Sequence, residues 1–300
     1  MGACGSDDKK SDATTTTGAA ATTAAAPSGG GAASTTSAGA STPPASAVGQ
    51  LELVKDDTLT VAAVIPYPHF YDGADPESLT GGLDWALAQE LAKRLGVSNT
   101  VYKNVNFAAL TAGQLSKDYD VGIVEISVTP ARSEVNDYSD CYSHSYNVAI
   151  VPKGTPASTL DELKQISWGF ATGQTGQDLV LNYIKPDKTF KAFQSVVQEG
   201  GPALKAGTID GLMAGMGDAT TLFGDADFAA KFEVAARIQT DENPDGFCEA
   251  IQLPKGSPNL TAVNAALAGI RDDGLIDQWK KEYGIITLGD DVPLVVLSKA

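Results

Sequence analysis

Short apolar runs rich in β-branched residues alternate along this chain with segments whose apolar residues recur at helical spacing. That alternation constrains the fold more than any other feature. Residues 59–65, 101–105, 120–124, 146–151, 166–171, 209–214 and 246–253 read as strands. Leu83, Leu87, Leu91 and Leu95 recur every four residues, Ala88 and Ala92 widen the stripe, and Gly96 supplies a stop, which predicts an amphipathic helix. Further helices are predicted over 107–115, 178–184, 195–206, 260–270 and 275–283, and Thr159-Leu-Asp-Glu162 is a capping box that opens a short one. Strands that alternate with helices predict an α/β fold built on parallel sheet. The Pro293-Leu-Val-Val-Leu297 stretch near the end adds a candidate edge strand.

The length of 300 residues accommodates one two-lobed protein or two small domains. A hydrophobic fraction of 43% permits a sizeable core. Of the net charge of −16, only one unit falls in the first fifty residues, where Lys9 and Lys10 face Asp7, Asp8 and Asp12. The remainder of the chain is therefore strongly acidic, which argues against a nucleic-acid partner, since such binding needs a basic face. No run of about eighteen apolar residues occurs, so no membrane-spanning helix is predicted. His69 and His144 are the two histidines and neither has a metal-ligand pattern around it, so no metal site and no cofactor are expected.

The densest chemistry lies between Asp120 and Tyr142. A short buried strand ends in a polar turn that carries the hydroxyls of Ser127 and Thr129, then Pro130, then the guanidinium of Arg132. A turn at the end of an α/β strand faces the crevice where such folds bind ligands. One arginine flanked by hydroxyls suits a small carboxylate, because its planar fork bonds both oxygens. The competing reading has Arg132 capping a helix or pairing with Glu134 or Asp137. Upstream, Pro66-Tyr-Pro-His-Phe-Tyr71 is a loop dense in rings. Downstream, Thr172-Gly-Gln-Thr-Gly-Gln177 is a polar turn between a strand and a helix, able to receive an anion, and it lacks the G-K-[ST] of a Walker motif.

The run V-G-I-V-E-I-S-V-T-P-A-R followed by D-Y-S-D-C-Y resembles the signature of the family 3 extracellular solute-binding proteins, the polar amino-acid receptors of bacterial ABC importers. The resemblance extends over roughly residues 57–285. It implies a two-lobed, type II periplasmic-binding-protein-like α/β fold with two hinge crossovers. The expected organisation is a tail over 1–50, lobe one over 51–143 and 252–300, and lobe two over 144–251. It implies a protein that captures a small amino acid or amine-type zwitterion in the interlobe cleft and passes it to a permease. Arg132 and Ser127, with the second-lobe turn of Gly173, Thr175 and Gly176, would hold the carboxylate. Tyr67 or Phe70 would stack on the ligand body.

Two positions depart from the family pattern. Where the family places the acid that binds the ligand's α-amino group, this chain has Gly215, and the next acid is Asp218. Seven residues before Arg132, where the family has a small residue, stands Glu125. A carboxylate at a partly buried pocket mouth is costly without a cation or a proton. Glu125 is expected either to contact a positive group on the ligand or to pair with a lysine or with Arg132. An alternative function on the same fold is a periplasmic cyclohexadienyl dehydratase, with Glu125 as the acid.

Met1-Gly-Ala-Cys4-Gly-Ser-Asp-Asp resembles the end of a bacterial lipoprotein signal, with small residues before a cysteine and polar residues after it. It implies export behind a signal peptide and a lipid anchor at Cys4 on the outer face of the cell membrane or in the periplasm. Residues 13–47 consist of Ala, Ser, Thr, Gly and Pro alone, a composition that cannot offset its ordering entropy and predicts a disordered leash. With Cys4 assigned to lipid, Cys141 and Cys248 remain as an even pair in an exported protein, beside the two crossovers, and are expected to form a disulfide. A monomer is expected.

Overall fold

The computed structural model describes residues 51–299. Cys4 and the low-complexity tail lie outside the described residues. In chain order the elements are β1 (Thr58–Ala63), α1 (Leu83–Leu95), β2 (Asn99–Asn104), α2 (Phe107–Thr111), β3 (Val121–Gly122), α3 (Pro130–Val135) and β4 (Asn136–Ser145). There follow β5 (Asn147–Pro152), α4 (Leu160–Lys164), β6 (Trp168–Ala171), α5 (Thr175–Asp178), β7 (Lys191–Phe193), α6 (Gly201–Lys205), β8 (Gly211–Gly215), α7 (Met216–Phe223), α8 (Ala226–Lys231) and β9 (Phe232–Thr240). The chain closes with β10 (Phe247–Pro254), α9 (Leu260–Asp272), α10 (Leu275–Glu282) and β11 (Leu294–Leu297).

Two sheets result, one per lobe. The first runs β2-β1-β3-β10-β4 and the second β11-β9-β5-β8-β6-β7. Both are mixed rather than wholly parallel. β1 pairs parallel with β2 and β3, but β10, re-entering from the other lobe, lies antiparallel to β3 and β4. In the second sheet β5 is antiparallel to β8 and β9, while β6 is parallel to β7 and β8. A chain that leaves a sheet and returns from outside must run back against its neighbours, which the strand–helix alternation alone does not reveal. The Leu83–Leu95 stripe is buried against lobe one, and Gly96 ends the helix at φ 72°. Lobe two buries residues on both faces of its sheet.

The expected lobe boundaries need two corrections. β10 pairs with β4 from Phe247 to Pro254, and β4 runs to Ser145, so 144–145 and 247–251 belong to the sheet of lobe one rather than to lobe two. After α10 the chain crosses a third time: Ile286 and Leu288 pack into the core of lobe two, and β11 pairs parallel with β9. The tail therefore does not finish lobe one. The reason is the exposed row of N–H and C=O groups on the outer edge of β9, which β11 covers. The helix predicted over 195–206 forms as one continuous run over 196–205, wound more widely over Val196–Gly200 and continuing as α6. The change of winding falls beside Pro202, which has no N–H to give the α ladder. The strand predicted over 120–124 pairs only at Val121 and Gly122.

Candidate functional site

The turn that leaves β3 is built to project side chains into the gap between the lobes. Glu125 adopts φ 50°, a left-handed conformation that costs a residue with a Cβ about 1 kcal/mol. It persists because β10 pins the next residues: the Ala250 N–H donates to the Ile126 carbonyl at 3.0 Å and the Val128 N–H to the Cys248 carbonyl at 2.8 Å. Ser127 thereby faces Glu249 across an isolated bridge. Thr129 then caps α3, accepting from the Arg132 N–H at 3.3 Å, with Pro130 in the first turn. Behind the site, Cys141 of β4 and Cys248 of β10 are joined by a disulfide with their Cα atoms 5.4 Å apart.

Arg132 reaches from lobe one to lobe two. Its Nη1 donates to the Ser127 carbonyl at 2.6 Å and its Nη2 to the Gly173 carbonyl at 2.7 Å. The guanidinium lies 5.4 Å over the Phe107 ring. Burial brings its pKa down to about 10. Among the described residues no carboxylate lies within ion-pair distance of it, so pairing with Glu134, Asp137 or Glu125 does not occur. Arg132 forms a wall between two cavities. One, of about 450 Å³, lies in the interlobe cleft and is lined by Tyr67, Glu125, Ser127, Thr175, Asp218 and Glu249. The other, of about 720 Å³, lies on the far side of Arg132 against Gly173, Phe247 and Lys299. Convergent acids and hydroxyls single out the smaller cavity as the candidate site.

Most of the expected site residues meet there, and three do not. Tyr67 lines the cleft, and its ring stacks on Phe70 at 4.5 Å between centroids. Phe70 itself is fully buried and takes no part in the cleft wall, because Tyr67 covers it. Gly176 is likewise a packing residue. A Cβ there would come within 2.7 Å of the Met213 carbonyl, so only glycine lets the turn sit on β8. Gly173 borders the larger cavity, with its carbonyl taken by Arg132. Thr175 does reach the cleft, held by the Asn147 amide at 2.8 Å. Asp218, in the first turn of α7, is buried in the cleft wall and accepts from Gln174 Nε2 at 3.0 Å. Burial pushes its carboxyl up to about 6, with the Gln174 bond opposing the shift. The other amide atom, Gln174 Oε1, is buried without a partner.

Glu249 was not foreseen. It is 3% exposed and shares a hydrogen bond with Glu125, whose Oε1 also accepts from the Tyr142 hydroxyl at 3.3 Å. Burial raises the Glu125 carboxyl well above its ordinary range, and the neighbouring charges of Glu249 and Asp84 raise it further. Asp84 is wholly buried with neither oxygen hydrogen-bonded, and burial raises its carboxyl too. Lys280, bonded to Ser143 Oγ at 2.6 Å, is the cation that acts on both glutamates. A signal for Glu249 did exist: it is the lone charged residue in the crossover strand.

A family model described as "Bacterial extracellular solute-binding proteins, family 3" matches residues 59–285. The L-cystine-binding protein TcyJ of Escherichia coli (strain K12) is 27% identical over 243 residues, covering 78% of this chain and 86% of that protein. The ABC transporter glutamine-binding protein GlnH of Bacillus subtilis (strain 168) is 24% identical over 237 residues, 78% of this chain and 84% of the relative. Among solved structures, an ancestral arginine-binding protein bound to arginine superposes with a TM-score of 0.64 at 25% identity, covering 76% of this chain and 98% of that one.

Proposed function

We propose, for a chain that belongs to the bacterial extracellular solute-binding proteins, family 3, that the 450 Å³ interlobe cavity captures an α-amino acid for an ABC importer. The observation that carries this reading is Arg132. A buried guanidinium without a carboxylate partner is costly, and a ligand carboxylate offers the charge-assisted, two-pronged bond that offsets the cost. Ser127 and the Thr175 hydroxyl flank the same place. Asp218, with the free Gln174 Oε1 beside it, suits the α-ammonium group and stands in for the acid missing at Gly215. Tyr67 presents a ring face to the ligand body.

Contacts from both lobes mean that the ligand favours the closed arrangement, which a permease then reads. The protein acts as a binder rather than a dehydratase: the Glu125 carboxyl is engaged by Glu249 and Tyr142, and the named relatives are binding proteins. We assign a lipid anchor to Cys4 from the sequence around it, for a monomer held on the outer face of the cell membrane or in the periplasm. Mass spectrometry of the cell-purified N-terminal peptide tests the anchor.

The function itself is tested by a thermal-shift screen of the purified protein against the common amino acids, plain carboxylates and amines lacking a carboxylate. A ligand at a hundred times its Kd adds about 2.7 kcal/mol, an easily read shift. Shifts confined to compounds with an α-carboxylate and an α-amino group support the reading. Shifts with amines that lack a carboxylate overturn the Arg132 assignment, and turnover of prephenate or arogenate overturns the binder.

A further inference from the structure

The interlobe cavity offers more negative charge than an α-amino acid's own ammonium group can use. Asp218 and Gln174 form one acceptor station on lobe two. Glu125 and Glu249 form another on lobe one, both lining the same cavity. The stations are separate. Asp218 lies in the first turn of α7 on lobe two, whereas Glu249 lies in β10 and Glu125 in the turn after β3 on lobe one, and Tyr67 lines the same cavity.

Behind the second station stands Asp84, fully buried with both oxygens unpartnered. The groups facing Glu125 and Glu249 are Asp84 from α1, Tyr67 and Tyr71 from the loop after β1, Tyr142 from β4 and Lys280 from α10. One ammonium thus serves three carboxyls. Electroneutrality in a desolvated floor then needs two further positive charges, either protons or a cation from the ligand. Among the described residues no three His, Cys, Asp or Glu side chains converge in an arrangement that could hold a metal ion.

We propose that the Glu125–Glu249 pair is the specificity station of this site and selects α-amino acids whose side chain ends in a second cationic group, an amine or a guanidinium. This rests on the amino-acid reading above. The ligand's carboxylate meets Arg132, its α-ammonium meets Asp218 and Gln174, and its side-chain cation lies between the two glutamates. There it replaces the proton that they share. The carboxyl–carboxylate hydrogen bond breaks, each glutamate gains a charge-assisted bond to a ligand N–H, and the displaced proton leaves to solvent. A neutral side chain cannot displace that proton and leaves the hydrogen bond between the two glutamates in place.

The test is calorimetric titration of the full protein with L-arginine and L-citrulline, which differ by a guanidinium against a neutral ureido group. Each is run near pH 7 in two buffers of different ionisation enthalpy. L-arginine is expected to bind at least tenfold more tightly and to release close to one proton, while L-citrulline releases none. E125Q and E249Q, made singly, are each expected to lower the arginine-to-citrulline affinity ratio at least tenfold. A ratio is read, so a general weakening cannot mimic the result, and two variants guard against one that fails to fold. Equal affinities in the native protein, or an unchanged ratio in both variants, overturn the proposal while leaving amino-acid binding intact. Binding of no amino acid at all overturns it together with the functional reading.

Discussion

Arg132 is only 9% exposed and donates to two carbonyls that belong to different lobes, so it bridges the lobes. Arg132→Met is expected to weaken amino-acid binding at least a hundredfold by calorimetry, since a charge-assisted bidentate bond is worth about 1.5–3 kcal/mol per hydrogen bond. The same change removes a buried charge without a counter-ion, so the free protein is expected to gain about 1 kcal/mol of stability in denaturant unfolding. The acids behave in the opposite sense. Asp218, Glu125 and Asp84 all hold their protons more tightly folded than unfolded. The native state therefore binds more protons through the window above pH 4, and stability falls as pH rises through it. Asp218 alone, pushed up to about 6 from 3.8, costs about 3 kcal/mol at neutral pH relative to its protonated form. The ligand-free protein is expected to melt higher at pH 5 than at pH 7.5, with the gap reduced in Asp218→Asn. A melting temperature that is flat between these pH values counts against buried, proton-holding acids.

Among the elements, β11 and the disulfide carry the most checkable energetics. Val295 and Leu297 of β11 are buried at 8% and 2% exposure, and the Arg237 N–H donates to the Pro293 carbonyl at 2.7 Å. Deleting residues 290–300 is expected to cost on the order of 2–4 kcal/mol after chain entropy is set against the lost burial. Hydrogen exchange should then show lost protection along β9 and little change along β1. Reduction of Cys141–Cys248, which closes a sequence separation of 107, is expected to cost about 4–5 kcal/mol by chain-entropy reasoning. Denaturant unfolding of a Cys141→Ser/Cys248→Ser double variant measures it. At this scale the sequence was a good guide wherever caps and stripes are local. The Thr159–Glu162 capping box and the Gly96 stop are both in place. The sequence also located the 195–206 helix, but not the change from wide to α winding beside Pro202 and the two glycines before it.

In the whole molecule, three passages of chain join the lobes, not two. Beyond them, the Thr221 hydroxyl of lobe two donates to the Pro68 carbonyl of lobe one at 3.2 Å. A side chain at Gly217 would collide with the Tyr67 hydroxyl, so the absence of a Cβ there lets the lobes approach. Gly217→Val is expected to hold the lobes apart. Small-angle scattering should show a radius of gyration that no longer shrinks on addition of amino acid, with affinity down at least tenfold.

The sequence by itself determined the α/β class, the family and the turn that presents Arg132 and Ser127. All of these follow from short-range patterns: periodicity, caps and a motif contained in a few residues. Tertiary structure alone decided that Phe70 and Gly176 pack rather than face the cleft, that β11 joins lobe two, and that Glu249 meets Glu125. Each of those outcomes depends on strands distant in the chain pairing in one register. A one-residue shift in that pairing would turn Glu249 to the opposite face of the sheet.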